Sequence, residues 1–184
     1  GYYGASPTAE FDETSPLGDG FLAEVCDAWE AAAAPAQRAT RGVFLRTGIV
    51  LSADGGALKK QLPLCKFGLG GKMGSGRQWQ SWISIDDEVS AILHLLSSDV
   101  SGPVNLTAPE PVTNAEFTKT LGGVLGRPTF LPIPKFGPKL LLGGELAENL
   151  LFTGQKVLPT VLERDGYEFA HRDLESALRH LLGR

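Results

Sequence analysis

Gly76-Arg77-Gln78-Trp79-Gln80-Ser81-Trp82-Ile83-Ser84-Ile85-Asp86-Asp87-Glu88-Val89 is the stretch whose reading decides the fold. Residues 81–85 read as a short strand, and Asp86 can cap a helix over residues 88–96. The adjacent carboxylates Asp86-Asp87 read as a cap plus an exposed neighbour in preference to a metal or acid pair. A strand feeding straight into a helix is the unit of an α/β protein, provided its neighbours repeat the pattern.

They repeat it on both sides. Upstream, residues 42–51 (Gly-Val-Phe-Leu-Arg-Thr-Gly-Ile-Val-Leu) are apolar, β-branched and short, as a buried strand is. Before them, residues 20–34 form a predicted helix with Asp19 as cap. Phe21, Leu22, Val25, Cys26 and Trp29 recur at helical spacing there, and Pro35 ends the run. A further helix is expected over residues 56–64, then a loop carrying Gly68, Gly70, Gly71, Gly74 and Gly76. Downstream, residues 103–107 read as a strand, and Asn114 caps a helix running to about Leu125. The alternation predicts an α/β domain with a largely parallel sheet. The strands are too few to close a full doubly wound sheet, and an isolated half would expose an apolar edge and a bare face.

The character changes after Gly126-Arg127-Pro128. Pro132 and Pro134 flank a stiff linker, and residues 136–152 are Leu-rich and helical in pattern. A second helix ends near Asp165-Gly166, and Asp173 caps a last one over residues 174–182. The expected organisation is therefore an α/β domain over residues 1–131 and a small helical domain over 132–184, packed together through leucines.

The 184 residues are 42% hydrophobic and 21% charged, with net charge −4 and a pI near 5.4. That is the balance of a globular protein with no basic footprint for nucleic acid or anionic membrane. No stretch approaches the ~20 apolar residues of a membrane span. No signal-peptide pattern opens the chain, so a cytoplasmic location is expected. Cys26 and Cys65 lack metal-ligand spacing, and His94, His171 and His180 do not cluster with them, so no metal site is expected.

Several segments together resemble an atypical epimerase family of the extended short-chain dehydrogenase/reductases. They are Gly1-Tyr2-Tyr3-Gly4, Phe21-Leu22-Ala23-Glu24-Val25-Cys26 with Trp29-Glu30, and Leu45-Arg46-Thr47-Gly48-Ile49-Val50-Leu51. Further matches are residues 74–87, Gly102-Pro103-Val104-Asn105-Leu106-Thr107-Ala108-Pro109, and Gly154-Gln155-Lys156-Val157-Leu158-Pro159. The resemblance runs nearly the whole length, and the tail after Pro134 looks like that family's own C-terminal domain. It implies the C-terminal half of a Rossmann-like fold with a small helical appendage. It also implies NAD or NADP as cofactor, bound largely by an upstream half whose glycine-rich turn cradles the pyrophosphate. This sequence supplies no such turn. Two expectations follow: a piece of a longer enzyme, or a domain without its redox half. Residues 68–76 are not bracketed by a strand and an opening helix, so they read as a loop over a substrate.

The wider superfamily carries a Tyr-x-x-x-Lys pair on the helix beside the nicotinamide, where lysine lowers the phenol's pKa. Alignment on Trp29-Glu30 puts Leu22 and Cys26 at those positions, and a slide of one residue puts Phe21 and Val25 there. Neither register supplies an acid, a base or the cation. By the same resemblance Tyr2 and Tyr3 lie at a strand end near nicotinamide and substrate, so Tyr3 is the candidate proton donor and Tyr2 a cofactor contact. The alternative for both is packing against cofactor or loop. Arg46, Thr47, Gly48, Ile49 and Val50 fall where the fold touches the nicotinamide amide. Arg46 can equally be structural, paired with Glu30 or Asp86.

Arg77, Gln78, Trp79 and Trp82 form the candidate substrate-facing group, because an arginine between aromatics can clamp a carboxylate or phosphate. The alternative puts one indole in the core and Arg77 on a loop. The expected function is the substrate-binding part of an NAD(P)-dependent nucleoside-diphosphate-sugar epimerase or reductase. Its expected partner is a small molecule, anionic or a nucleotide sugar. A non-catalytic ligand-binding or regulatory module is the alternative. A third reading is homo-oligomerisation through the apolar surface of Leu140-Leu141-Leu142 and Leu150-Leu151-Phe152.

Overall fold

The computed structural model describes residues 1–129 and 153–184. The Pro132/Pro134 linker, the Leu-rich helix over 136–152 and the leucine clusters proposed for self-association lie outside the described residues. No helix among the described residues is long and apolar enough to cross a membrane.

The run of residues 42–51, expected to be one buried strand, is two strands that change partner at one glycine, and within them only Leu51 is buried, while Leu45 and Ile49 are exposed. β1 (Glu10–Phe11) comes first in the chain; the split run supplies β2 (Val43–Thr47) and β3 (Ile49–Leu51). β4 (Trp79–Gln80), β5 (Trp82–Ser84) and β6 (Gly102–Leu106) follow. β2 pairs in parallel with β6, Val43 opposite Gly102 and Thr47 opposite Leu106. β3 pairs in parallel with β5, Ile49 opposite Trp82. At the handover, Gly48 N donates to Leu106 O at 3.0 Å and Ile49 N donates to Ser81 O at 2.8 Å. A Cβ on Gly48 would stand 2.6 Å from Ser81 O, so the close approach of the two backbones requires glycine. Two short pairings complete the strands among the described residues. β7 (Val112–Thr113) runs antiparallel to β4, and β8 (Lys156–Val157) runs parallel to β1.

Six α-helices are described: α1 (Phe21–Ala33), α2 (Gly56–Lys66), α3 (Ile85–Ser97), α4 (Asn114–Leu125), α5 (Thr160–Arg164) and α6 (Leu174–Leu182). Three expected caps are corrected. α1 opens at Gly20 with no side-chain cap, so Asp19 does not serve. α3 is capped by Ser84, whose Oγ accepts from Asp87 N at 3.0 Å, so the helix begins two residues before the proposed cap Asp86 would allow. The roles of the two aspartates are also reversed. Asp86 is exposed, and Asp87 is fully buried. α4 is capped by Thr113 in a capping box with Glu116, which frees the expected cap Asn114 to accept from Met73 N at 2.7 Å. At α6, Asp173 caps as expected, accepting from Ser176 N at 2.9 Å.

Trp82 and Ile83, adjacent on β5, are both fully buried and enter different cores. Successive side chains of a strand point to opposite faces, so both faces here are covered. One core gathers Leu51, Leu58, Trp82, Phe117 and Leu121; the other gathers Ile83, Ala91, Val104 and Leu106. The tail reaches both: Leu174, Ala177 and Leu178 join the first, and Leu162, Tyr167 and Phe169 the second. Residues 153–184 are thus packed on the main body through apolar side chains, leucines among them.

Candidate functional site

A cavity of about 770 Å³ lies between α1, the β2–β3 junction and residues 153–157. Tyr2, Tyr3, Arg46, Thr47, Gly48, Ile49 and Trp79 line it. The other proposed site residues are elsewhere. Val50 packs against the second core, as the neighbour of cavity-lining Ile49 must in a strand. Arg77 is exposed and Gln78 is buried, and neither lines the cavity. Trp82 is in the core, its indole Nε1 donating to Glu110 O at 2.9 Å.

Arg46 organises one wall. Its Nε and Nη2 donate to the two carboxylate oxygens of Glu30 at 2.7 and 2.8 Å, and Nη1 donates to Tyr3 Oη at 3.0 Å. The guanidinium carbon lies 3.3 Å above the Tyr2 ring centroid, a cation–π contact. Burial disfavours the arginine's charge, but the bonds to Glu30 and Tyr3 outweigh it, so its pKa is raised. Tyr3 Oη donates to Asn105 Oδ1 at 2.6 Å, and its ring stacks on Phe11. Burial pushes the Tyr3 phenol up, against the pull of Arg46. The phenol is therefore protonated at neutral pH, with its hydrogen held by Asn105.

Behind the cavity, Thr47 Oγ1 donates to Glu88 Oε1 at 3.0 Å. The other carboxylate oxygen of Glu88 is buried without a hydrogen-bond partner, and burial raises this group's pKa. On the far side, residues 153–157 are stitched to the sheet. Ser81 Oγ donates to Gln155 O and accepts from Val157 N, both at 2.8 Å. Gly154 passes so close to Trp79 that a Cβ would stand 2.1 Å from Trp79 O.

Sequence reasoning missed Asn105, Ser81 and Gln155. Asn105 is 102 residues from the phenol it holds, and no local pattern announces such a pair. Of the two carboxylates that the sequence offers Arg46, Glu30 and Asp86, the geometry selects Glu30. Leu22 and Cys26 also line the cavity. The glycine-rich loop does not: Met73 N donates to Asn114 Oδ1, and Gln78 Nε2 donates to Met73 O at 3.0 Å, which hold it over the start of α4.

Parallel strand pairs packed against helices, with a cavity at the β2–β3 junction, define an α/β protein. An epimerase family protein of Mycobacterium leprae is 47% identical over 182 residues, 98% of this chain and 59% of the relative. The crystal structure of a human epimerase family protein with NADPH superposes with a TM-score of 0.94 at 40% identity, covering 100% of this chain and 62% of that one. A nucleoside-diphosphate sugar epimerase of Corynebacterium glutamicum gives a TM-score of 0.74 at 37% identity, covering 100% and 35%. Residues 133–181 match a domain of unknown function, DUF1731. Over nearly its whole length the chain is similar to members of this atypical epimerase family. It spans about three fifths of the length of the Mycobacterium leprae and human relatives.

Proposed function

We propose that this chain is the substrate-side, C-terminal part of an NAD(P)-dependent epimerase or reductase, with the cavity receiving the nicotinamide end of the cofactor and the substrate. The proposed division is an α/β part over residues 1–131 and the C-terminal domain over 132–184. The observation that carries the reading is the cavity wall, where Leu22, Cys26, Trp29 and Ile49 give apolar surface beside Arg46 and Thr47. Apolar walls with a few placed polar groups suit a flat aromatic amide. The described residues suit that ring and hold no cradle for a pyrophosphate. NADPH bound by a 40%-identical relative supports the cofactor class.

When bound, the nicotinamide supplies hydride transfer. Leu22, Cys26 and Trp29 exclude water from the ring. Arg46, fixed by Glu30, holds positive charge at the wall. Tyr3 is the proposed proton donor; it delivers its proton once substrate displaces Asn105 from the hydroxyl. Tyr2, Thr47, Gly48, Ile49 and Val50 are the proposed cofactor-side residues, Val50 as support behind Ile49. Arg77, Gln78, Trp79 and Trp82 are the proposed substrate side, where Trp82 acts by holding β5 in place. A nucleotide sugar is the proposed substrate class, as for the Corynebacterium glutamicum neighbour.

Leu22 and Cys26 occupy the wall where the family resemblance places the Tyr-x-x-x-Lys pair, and this favours a second reading as a non-catalytic binding module. NADPH titration followed by fluorescence tests both. Saturable binding weakened by Leu22→Trp, with turnover of a nucleotide sugar, is the expected result. Binding without turnover favours the second reading, and no saturable binding defeats both.

A further inference from the structure

Away from the cavity, the start of α3 and the C-terminal segment bring Asp86, His171 and His180 together. Their ligand-capable atoms all lie within 4.8 Å of one another. His180 Nε2 stands 3.0 Å from Asp86 Oδ2, and the two imidazole centroids are 4.7 Å apart. We propose that these three side chains form a binding site for a divalent cation of the zinc class.

The donor set selects the ion. Two imidazole nitrogens and one carboxylate oxygen suit zinc, cobalt or nickel, whereas magnesium and calcium take oxygen ligands. At zinc bond lengths, tetrahedral ligand atoms stand roughly 3.4 Å apart. Asp86 and His180 are already within that separation, and a side-chain rotation of His171 brings its ring nitrogen into range of both. Three protein ligands leave a fourth position for water.

The surroundings hold the ligands in place. The buried Asp87 carboxylate accepts from Ala170 N at 2.7 Å and from His171 N at 3.1 Å. This pins the loop bearing His171 against the helical turn bearing Asp86, as outer-shell carboxylates do around metals. His180 lies in the last turn of α6, where the helix dipole favours a cation. The arginines next to both histidines are tethered elsewhere: Arg179 donates to Glu175 at 2.7 Å and Arg172 to Glu163 at 2.8 Å. Asp86 and His180 are each more than half exposed at the side chain (53% and 58%), so an aqueous ion has a path in. A bound cation would fasten the C-terminal segment to the start of α3 and stabilise the fold by mass action.

The test is calorimetric titration of the purified, chelator-treated protein with zinc chloride, with histidine side-chain NMR on the same samples. One equivalent should bind, raise the melting temperature, and shift the ring nitrogens of His171 and His180 but not those of His94. Asp86→Asn, His171→Asn and His180→Asn should each weaken binding by at least about tenfold. Because Asp86 and His180 are largely exposed, those two variants keep the fold, which their unliganded melting temperatures check. Cys26→Ser and His94→Gln should bind as the parent does. Loss of binding in Cys26→Ser, or retained affinity in a His171→Asn/His180→Asn double variant, overturns the site.

Discussion

Arg46 and Glu30 meet through two parallel hydrogen bonds, Nε to Oε1 at 2.7 Å and Nη2 to Oε2 at 2.8 Å. The pair leaves only Nη1 to reach Tyr3, so one carboxylate on α1 sets the direction in which the arginine acts. The side chains are 10% and 21% exposed, which makes this a mostly buried fork. Arg46→Ala should destabilise the protein by about 3 kcal/mol, the low end for stranding one partner of a buried pair. Arg46→Lys keeps the charge but loses the fork and the Tyr2 face, and should cost roughly half as much. Urea unfolding measures both, and a lysine variant as stable as the parent would contradict the fork.

Tyr3→Phe removes the hydroxyl shared by Arg46 and Asn105. Stranding the Asn105 carbonyl should cost about 1–3 kcal/mol. If the phenol transfers the proton as proposed, turnover should fall while NADPH affinity stays constant. Unchanged turnover in steady-state kinetics removes Tyr3 from the chemistry.

Arg77 is exposed and outside the cavity wall, so any contact it makes with the proposed anionic substrate is screened. Arg77→Ala should raise KM for a nucleotide sugar by less than about tenfold and leave NADPH affinity unchanged. Equal loss for both ligands counts against the clamp.

Glu88 is an acid whose folded-state pKa is raised by burial, partly offset by the Thr47 hydrogen bond. Its folded value lies above its unfolded one, so the native state holds the proton more tightly. The penalty for ionising it is absent below the unfolded pKa, grows as pH rises through the folded one, and is constant above. Glu88→Gln should therefore be more stable than the parent at pH 8, with the difference vanishing toward pH 4. Denaturation midpoints across that range test the sign, and a gap that widens toward acid would refute it.

The alternation of strands and helices was legible because apolar runs and helical spacing are local. The strand at residues 42–51 was visible in its β-branched residues, but its division at Gly48 was not, since a change of partner depends on Ser81 and Leu106. Caps misled by one or two residues at α3 and α4. Ser84 and Thr113 reach the third amide onward, while the neighbouring Asp87 and Asn114 are drawn into long-range bonds with Ala170 and Met73.

For the site, the segments around Tyr2-Tyr3 and Arg46-Thr47-Gly48 stood out through their resemblance to a family, and they do meet at one cavity. Arg77 and Trp82 stand out as part of an arginine-and-aromatic pattern within a family-like segment, and such a local pattern cannot distinguish an indole on a cavity wall from one in a core. Strand period decides that, and it depends on register with β3.

By itself, the sequence determined the α/β class, the last helix with its Asp173 cap, and the resemblance to an epimerase family, because each rests on short-range pattern or aligned motif. Only the tertiary structure decided that Glu30 holds Arg46, that Asn105 holds Tyr3, and that Asp86 meets His171 and His180. Those contacts join residues 16 to 102 positions apart, and a side chain's nearest partner across such a span is set by packing.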